Sequence, residues 1–157
     1  MKAWNFRVNS SPNEISKKLE SALGTVNGFV FNLNQEKNNS ISFRVRKRVL
    51  YVWYMAFQNW TIINGELLKT DTENKTDVVI VFNQHLLIRL IVFTHIFLGL
   101  FFLITIISGI SSNASLYIVG GILLAIGTVL WVAVQNKFRK DIQKYKILIS
   151  GILECEK

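Results

Sequence analysis

Apolar and polar positions alternate through the first half of the chain, then give way after His85 to two long unbroken apolar runs. Trp4, Phe6 and Val8 alternate with Asn5 and Arg7, which is the period of a short strand. Ser11-Pro12-Asn13-Glu14 predicts a helix start. Ser11 is the N-cap, Pro12 takes the first helical position, and Glu14 closes a capping box. Ile15, Leu19, Ala22 and Leu23 then share one face, with Lys17, Lys18 and Glu20 elsewhere and Gly24 as the stop. Phe29, Phe31 and Leu33 alternate with Val30, Asn32 and Asn34. Beyond a polar turn, Ile41, Phe43 and Val45 alternate with Ser42, Arg44 and Arg46. Trp60–Thr70 and Thr76–Asn83 read as two further strands joined by the turn Asp71–Lys75. Asn64-Gly65 is a dipeptide of tight hairpin turns. Leu67 and Leu68 leave little room for a separate short strand, so the pattern predicts a glycine inside one long strand. The intervening Val49–Trp60 fits either a strand or an interfacial helix.

The apolar runs are Leu86–Ile107, with 22 residues, and Leu116–Val134, with 19, separated by the uncharged stretch Ser108–Ser115. At about 1.5 Å per residue they reach roughly 33 and 28 Å, which matches a bilayer core of about 30 Å. Their ionisable residues are Arg89 and His95, both in the first run. The soluble alternative, a buried hairpin, fails on size, because so small a domain could hardly cover two such helices on all sides. The pattern therefore predicts a two-helix transmembrane hairpin over 86–134. Phe138, Ile142, Tyr145, Ile149 and Ile152 then recur at spacings of three and four, an amphipathic helix over 135–157 continuous with the second span.

The expected fold class is α+β: a small antiparallel sheet in β-α-β4 order over residues 1–85, plus the hairpin and the C-terminal helix. The first helix would lie on one face of the sheet with room for the last helix beside it. Charge sets the expected orientation. Met1–His85 holds eleven Lys/Arg against seven Asp/Glu, and Asn136–Lys157 holds six against three. The loop between the spans has none, so the positive-inside rule puts both termini in the cytoplasm and the hairpin in the inner membrane. Met1–Arg7 lacks an apolar stretch beside its charges, so the first span, not a cleaved signal, would direct insertion. The abundance of Asn, Lys and Ile hints at an AT-rich bacterial genome.

The net charge of +8 suits an anionic cytoplasmic leaflet. Nucleic acid is the weaker reading, because no fingerprint of an RNA-binding module is present. The single cysteine, Cys155, excludes an intramolecular disulfide and a cysteine-based metal cluster. There is no phosphate loop, His-Glu-x-x-His, Gly-x-Ser-x-Gly or Cys-x-x-Cys. No cofactor, metal or catalytic residue is therefore assigned. The carboxylates Glu66, Asp71, Glu73 and Asp77 read as a solvated turn.

The candidate contacts are with lipid and protein. Arg44, Arg46 and Arg48 share one strand face and are followed by Tyr51, Trp53, Tyr54, Phe57 and Trp60. Cations for anionic headgroups beside interfacial Trp and Tyr are what a membrane-facing surface uses. Arg89 can snorkel from the start of its span, and His95 is an intramembrane polar residue with a structural or a proton-linked role. Gly121 and Ala125, four apart, permit close helix packing, against the first span or against a partner.

Taken with the hairpin as an insertion, the order β-α-β4-α resembles that of small α+β sandwiches and helix-grip-like folds, some of which hold apolar ligands. It is similar also to many small bacterial membrane proteins. The expectation is a non-catalytic accessory or scaffold subunit that lies on the inner leaflet beside a membrane-protein partner or a second copy. The alternative is a binding module in which Phe29, Phe31 and Tyr51–Trp60 line a site for a lipid or another apolar ligand. A third is a proton-linked transporter subunit or small enzyme built on His95.

Overall fold

The computed structural model describes residues 3–24, 29–35, 40–47, 60–70, 75–110 and 113–153. These form an α+β chain with a five-stranded antiparallel sheet and, among the described residues, three helices. In chain order they are β1 (Trp4–Val8), α1 (Pro12–Gly24), β2 (Phe29–Gln35), β3 (Ser40–Lys47), β4 (Thr61–Lys69), β5 (Thr76–Gln84), α2 (Leu86–Ile107) and α3 (Ala114–Leu153). The chain divides into two compact units, one of residues 1–84 with 140–157 and the other of residues 85–139.

In the first unit the strand order is β1-β5-β4-β3-β2. The register sets Trp4 against Ile80, Gly65 against Ile80, Phe43 against Gly65 and Leu33 against Phe43. Because side chains alternate, one face gathers Val8, Val78, Ile80, Phe82, Ile63, Leu67, Ile41, Phe43 and Val45, all buried. α1 covers this face with Ile15, Leu19 and Leu23. The end of α3 lies on the same face. Thr61 donates to Asp141 at 3.1 Å, the Tyr145 ring meets Phe29 edge-on, and the Lys146 ammonium sits over Trp4. Tyr145, Ile149 and Leu153 are buried.

The α1 start forms as its sequence predicts. Glu14 N–H donates to the Ser11 hydroxyl, and the Glu14 carboxylate accepts from Ser11 N–H at 3.1 Å. Gly65 does lie within a strand, β4, and its missing side chain leaves the space that the Phe43 ring occupies. The opposite face of the sheet carries Asn5, Arg7, Asp77, Val79, Val81, Asn64, Glu66, Ser42, Arg44, Arg46, Asn32 and Asn34, with Ile62 buried at its β4 start, and no described helix of this unit lies on it.

In the second unit α2 starts at His85, whose ring accepts from Leu87 N–H. It ends in a Schellman motif. Gly109 has φ +70°, its N–H donates to Ile106 O, and Ile110 N–H donates to Thr105 O. Asn113 caps the next helix by accepting from Ser115 N–H at 3.0 Å. The residues before Arg139 in α3 run antiparallel to α2, since Gly127 meets Ile96 and Gly120 meets Phe102. α3 is one uninterrupted helix of 40 residues, about 60 Å long, with no break between the apolar run and the amphipathic segment.

Both helices are long and apolar enough to cross a membrane. Burial covers 11% of the most apolar stretch of α2 and 17% of that of α3, so neither is wrapped as the core helix of a soluble protein would be.

Candidate functional site

The face of the sheet opposite α1 holds the two arginines of the basic strand that are described. Arg44 and Arg46 are both exposed on it, as the alternation of β3 requires. Arg48, Tyr51, Trp53, Tyr54 and Phe57 lie outside the described residues. Trp60 is described and is not an exposed interfacial aromatic. It is only 9% exposed, next to the buried Thr61 and Ile62 at the start of β4.

Around Arg44 the face forms a hollow of about 480 Å³. Two rows of side chains border it. Across β2, β3, β4 and β5 the register aligns Asn32, Arg44, Asn64 and Val81 in one row, and Asn34, Ser42, Glu66 and Val79 in the next. The backbone under Leu33, Phe43 and Gly65 completes the lining. The Ser42 hydroxyl donates to Asn34 O at 3.3 Å. Arg44 and Glu66 are diagonal neighbours on β3 and β4, a separation of about 7–8 Å in antiparallel sheets. Among the described residues neither has an ion-pair or hydrogen-bond partner. The charge contact on this face is elsewhere, where Arg7 Nε donates to Asp77 Oδ1 at 2.7 Å. That hydrogen bond holds the Asp77 carboxyl below the ordinary carboxylate range and raises the Arg7 guanidinium. Both groups are well exposed, so the pair adds little to stability and is screened by salt.

The acidic cluster therefore separates. Asp77 is tied to Arg7, Glu66 borders the hollow, and Asp71 and Glu73 lie outside the described residues. The sequence pattern did not single out the hollow, because Asn32, Asn34 and Asn64 at alternate strand positions look like an ordinary solvated face. The available signal was their type, since Asn is depleted from strands.

Facing the sheet's covered side, Phe31 stacks on Phe43 at 5.8 Å and Phe29 meets Tyr145 at 6.1 Å, so both rings are engaged in packing. Burial, with a smaller contribution from Asp141, pushes the Tyr145 phenol up to about 12.

In the helical unit, Arg89 is exposed and His95 is partly buried, its Nδ1 2.7 Å from Ile91 O one turn back. That contact accounts for one ring nitrogen without any partner on α3. The close approach of the two helices does not use Gly121 and Ala125. Both are exposed, and a Cβ on Gly121 would meet nothing within 4 Å. The contact runs through Gly99, Gly120 and Gly127. A Cβ on Gly99 would lie 2.9 Å from Leu124 N, and one on Gly120 would lie 3.1 Å from Gly99 O. One residue along an α-helix is a rotation of about 100°, which carries Gly121 off the face that Gly120 presents.

No family model matches the chain, and no curated protein matches it. Among solved structures, the Zhui aromatase/cyclase from Streptomyces sp. R1128 aligns over 96% of this chain and 92% of its own, at 10% identity and a TM-score of 0.30. A likeness of that degree assigns neither a fold family nor an activity.

Proposed function

We propose that this protein is a two-pass integral protein of the bacterial inner membrane, with both termini in the cytoplasm, acting as a non-catalytic accessory or scaffold subunit. The observation that carries the reading is the apolar surface of α2 and α3. Leu86, Phe93, Phe97, Phe101 and Ile107 on α2, and Ile118, Ile122, Val129 and Val132 on α3, are all exposed. A helix that is apolar all round needs lipid or protein on every side. Tyr117 and Trp131 add support. Both are exposed, near opposite ends of the second apolar run and about 21 Å apart along the axis, as interfacial aromatics are. Lys137, Arg139 and Lys140 follow Trp131, consistent with a cytoplasmic end there.

In this reading the protein works by position. Arg44 and Arg46 meet anionic headgroups, each contributing about 1 kcal/mol near a charged leaflet. The Gly121/Ala125 side of α3 is left for another helix.

The sole cysteine is a native reporter of topology. In intact spheroplasts, a membrane-impermeant maleimide should leave Cys155 unlabelled until the membrane is permeabilised. With Cys155→Ser and Asn113→Cys, labelling should occur from outside without permeabilisation. Labelling of Cys155 in intact cells, or release of the protein by alkaline carbonate, overturns the topology.

A further inference from the structure

We propose that the hollow on the sheet face opposite α1 binds a small zwitterion bearing a primary ammonium and a phosphate or carboxylate, with Arg44 taking the anion and Glu66 the ammonium. Four observations meet here. First, the hollow's charged lining consists of one cation and one anion, in a chain whose net charge is +8. A simple anion would face Glu66 unfavourably, and a simple cation would face Arg44. A ligand carrying both charges satisfies both. Second, among the described residues neither charge has an ion-pair or hydrogen-bond partner.

Third, the register surrounds these charges with groups that both donate and accept. Asn32 and Asn64 flank Arg44 in its row, and Ser42 and Asn34 extend the Glu66 row. The amide N–H groups can share the anion's oxygens with the guanidinium, while the amide carbonyls can accept from the ammonium beside Glu66. Asn costs strand stability relative to β-branched residues, yet three of them sit together on this patch. Fourth, Val79 and Val81 line the β5 side, and the hollow's volume of about 480 Å³ suits a small molecule.

A phospholipid headgroup with an ethanolamine amine and a free amino acid or phosphoethanolamine share this chemistry. The lipid case rests on the membrane reading above and narrows the headgroup at Arg44 from anionic to zwitterionic, leaving Arg46 for anionic ones, whereas the soluble case stands without it.

The test is calorimetric titration of the full-length protein in phosphatidylcholine nanodiscs. The probes are phosphoethanolamine and glycine, with inorganic phosphate and ethanolamine as single-charge controls. At least one zwitterion should bind saturably, about tenfold or more tighter than either control. Arg44→Gln and Glu66→Gln should each cost about tenfold or more, and Glu66→Gln should also narrow the gap between the zwitterion and phosphate. Lys17→Gln, on the exposed side of α1, should leave binding unchanged. Absence of saturable binding overturns the proposal. So does phosphate binding as tightly as the zwitterions with no response to Glu66→Gln. Once binding is seen, nanodiscs containing phosphatidylethanolamine identify the source. Competition with the soluble probe assigns the site to the lipid headgroup, and unchanged affinity assigns it to a soluble zwitterion. Failure of binding in a protein that still shows the cysteine topology above removes the hollow and leaves the membrane reading standing.

Discussion

Tyr145 shows most directly how a single residue ties the end of α3 to the sheet. Its ring is buried against Phe29, and burial pushes its phenol up to about 12 from an ordinary 10. The folded state therefore keeps the proton through a range in which the unfolded chain loses it. The stability this supplies is complete below pH 10 and is lost as pH rises towards 12. Tyr145→Phe removes the titrating group. The variant should gain on the native protein by up to about 1.4 kcal/mol per pH unit over that range, while the difference between them stays constant below it. Denaturant unfolding in detergent at several alkaline pH values measures this, and a difference flat throughout would show that the phenol is not held away from water. The placement of Tyr145 on an inward face was legible from the spacing Phe138, Ile142, Tyr145, Ile149, and the burial of Tyr145 and Ile149 follows it. Its partner was not legible, because periodicity identifies a face without saying what that face meets. The hydrogen bond from Thr61 to Asp141 joins residues eighty positions apart and left no local sign. Trp60, which is little exposed, was open for a related reason, since an aromatic beside a basic strand suits an interface and a buried site equally well.

Elements with local stop and start signals were legible to their ends. β1 covers Trp4–Val8, α1 runs from Pro12 to Gly24 behind its capping box, and α2 covers Leu86–Ile107. These boundaries depend on nearest neighbours in sequence: an alternation, a cap, a change from polar to apolar. The contact between α2 and α3 depends on which side of each helix faces the other, and neighbouring small residues blur that choice. Gly120 and Gly121 are chemically identical in sequence, yet Gly120 is buried against α2 and Gly121 is exposed. The difference makes a paired experiment. Gly127→Leu must push against Ile96, whose backbone N would lie 3.2 Å from the new Cβ, and should cost about 1–3 kcal/mol. Gly121→Leu meets open space and should leave stability near that of the native protein. Thermal unfolding of both variants in the same detergent compares them. Equal loss from the two substitutions would mean that the helices do not meet along the Gly99, Gly120 and Gly127 side.

For the whole molecule, the question is what a helical pair with so much exposed apolar surface accomplishes. Two helices cannot enclose a pathway, and His95, its Nδ1 occupied by Ile91 O, has no acid, base or metal partner among the described residues. The chemistry on display is that of surfaces: a basic, amide-rich sheet face, and a side of α3 on which Gly121 and Ala125 leave a shallow path for another backbone. The proposed accessory role predicts that the intact protein, purified in mild detergent and analysed by mass spectrometry, is recovered with a stoichiometric membrane partner. Gly121→Leu with Ala125→Leu should strip that partner, by blocking close approach, while the thermal midpoint of the remaining protein holds. This combination separates docking from folding, because the same substitutions lie off the side that α2 uses. Retention of the partner by the doubly substituted protein would place the docking surface elsewhere. Recovery of the native protein alone, at every detergent mild enough to preserve other complexes, would remove the accessory role and leave the zwitterion-binding hollow as the function to pursue.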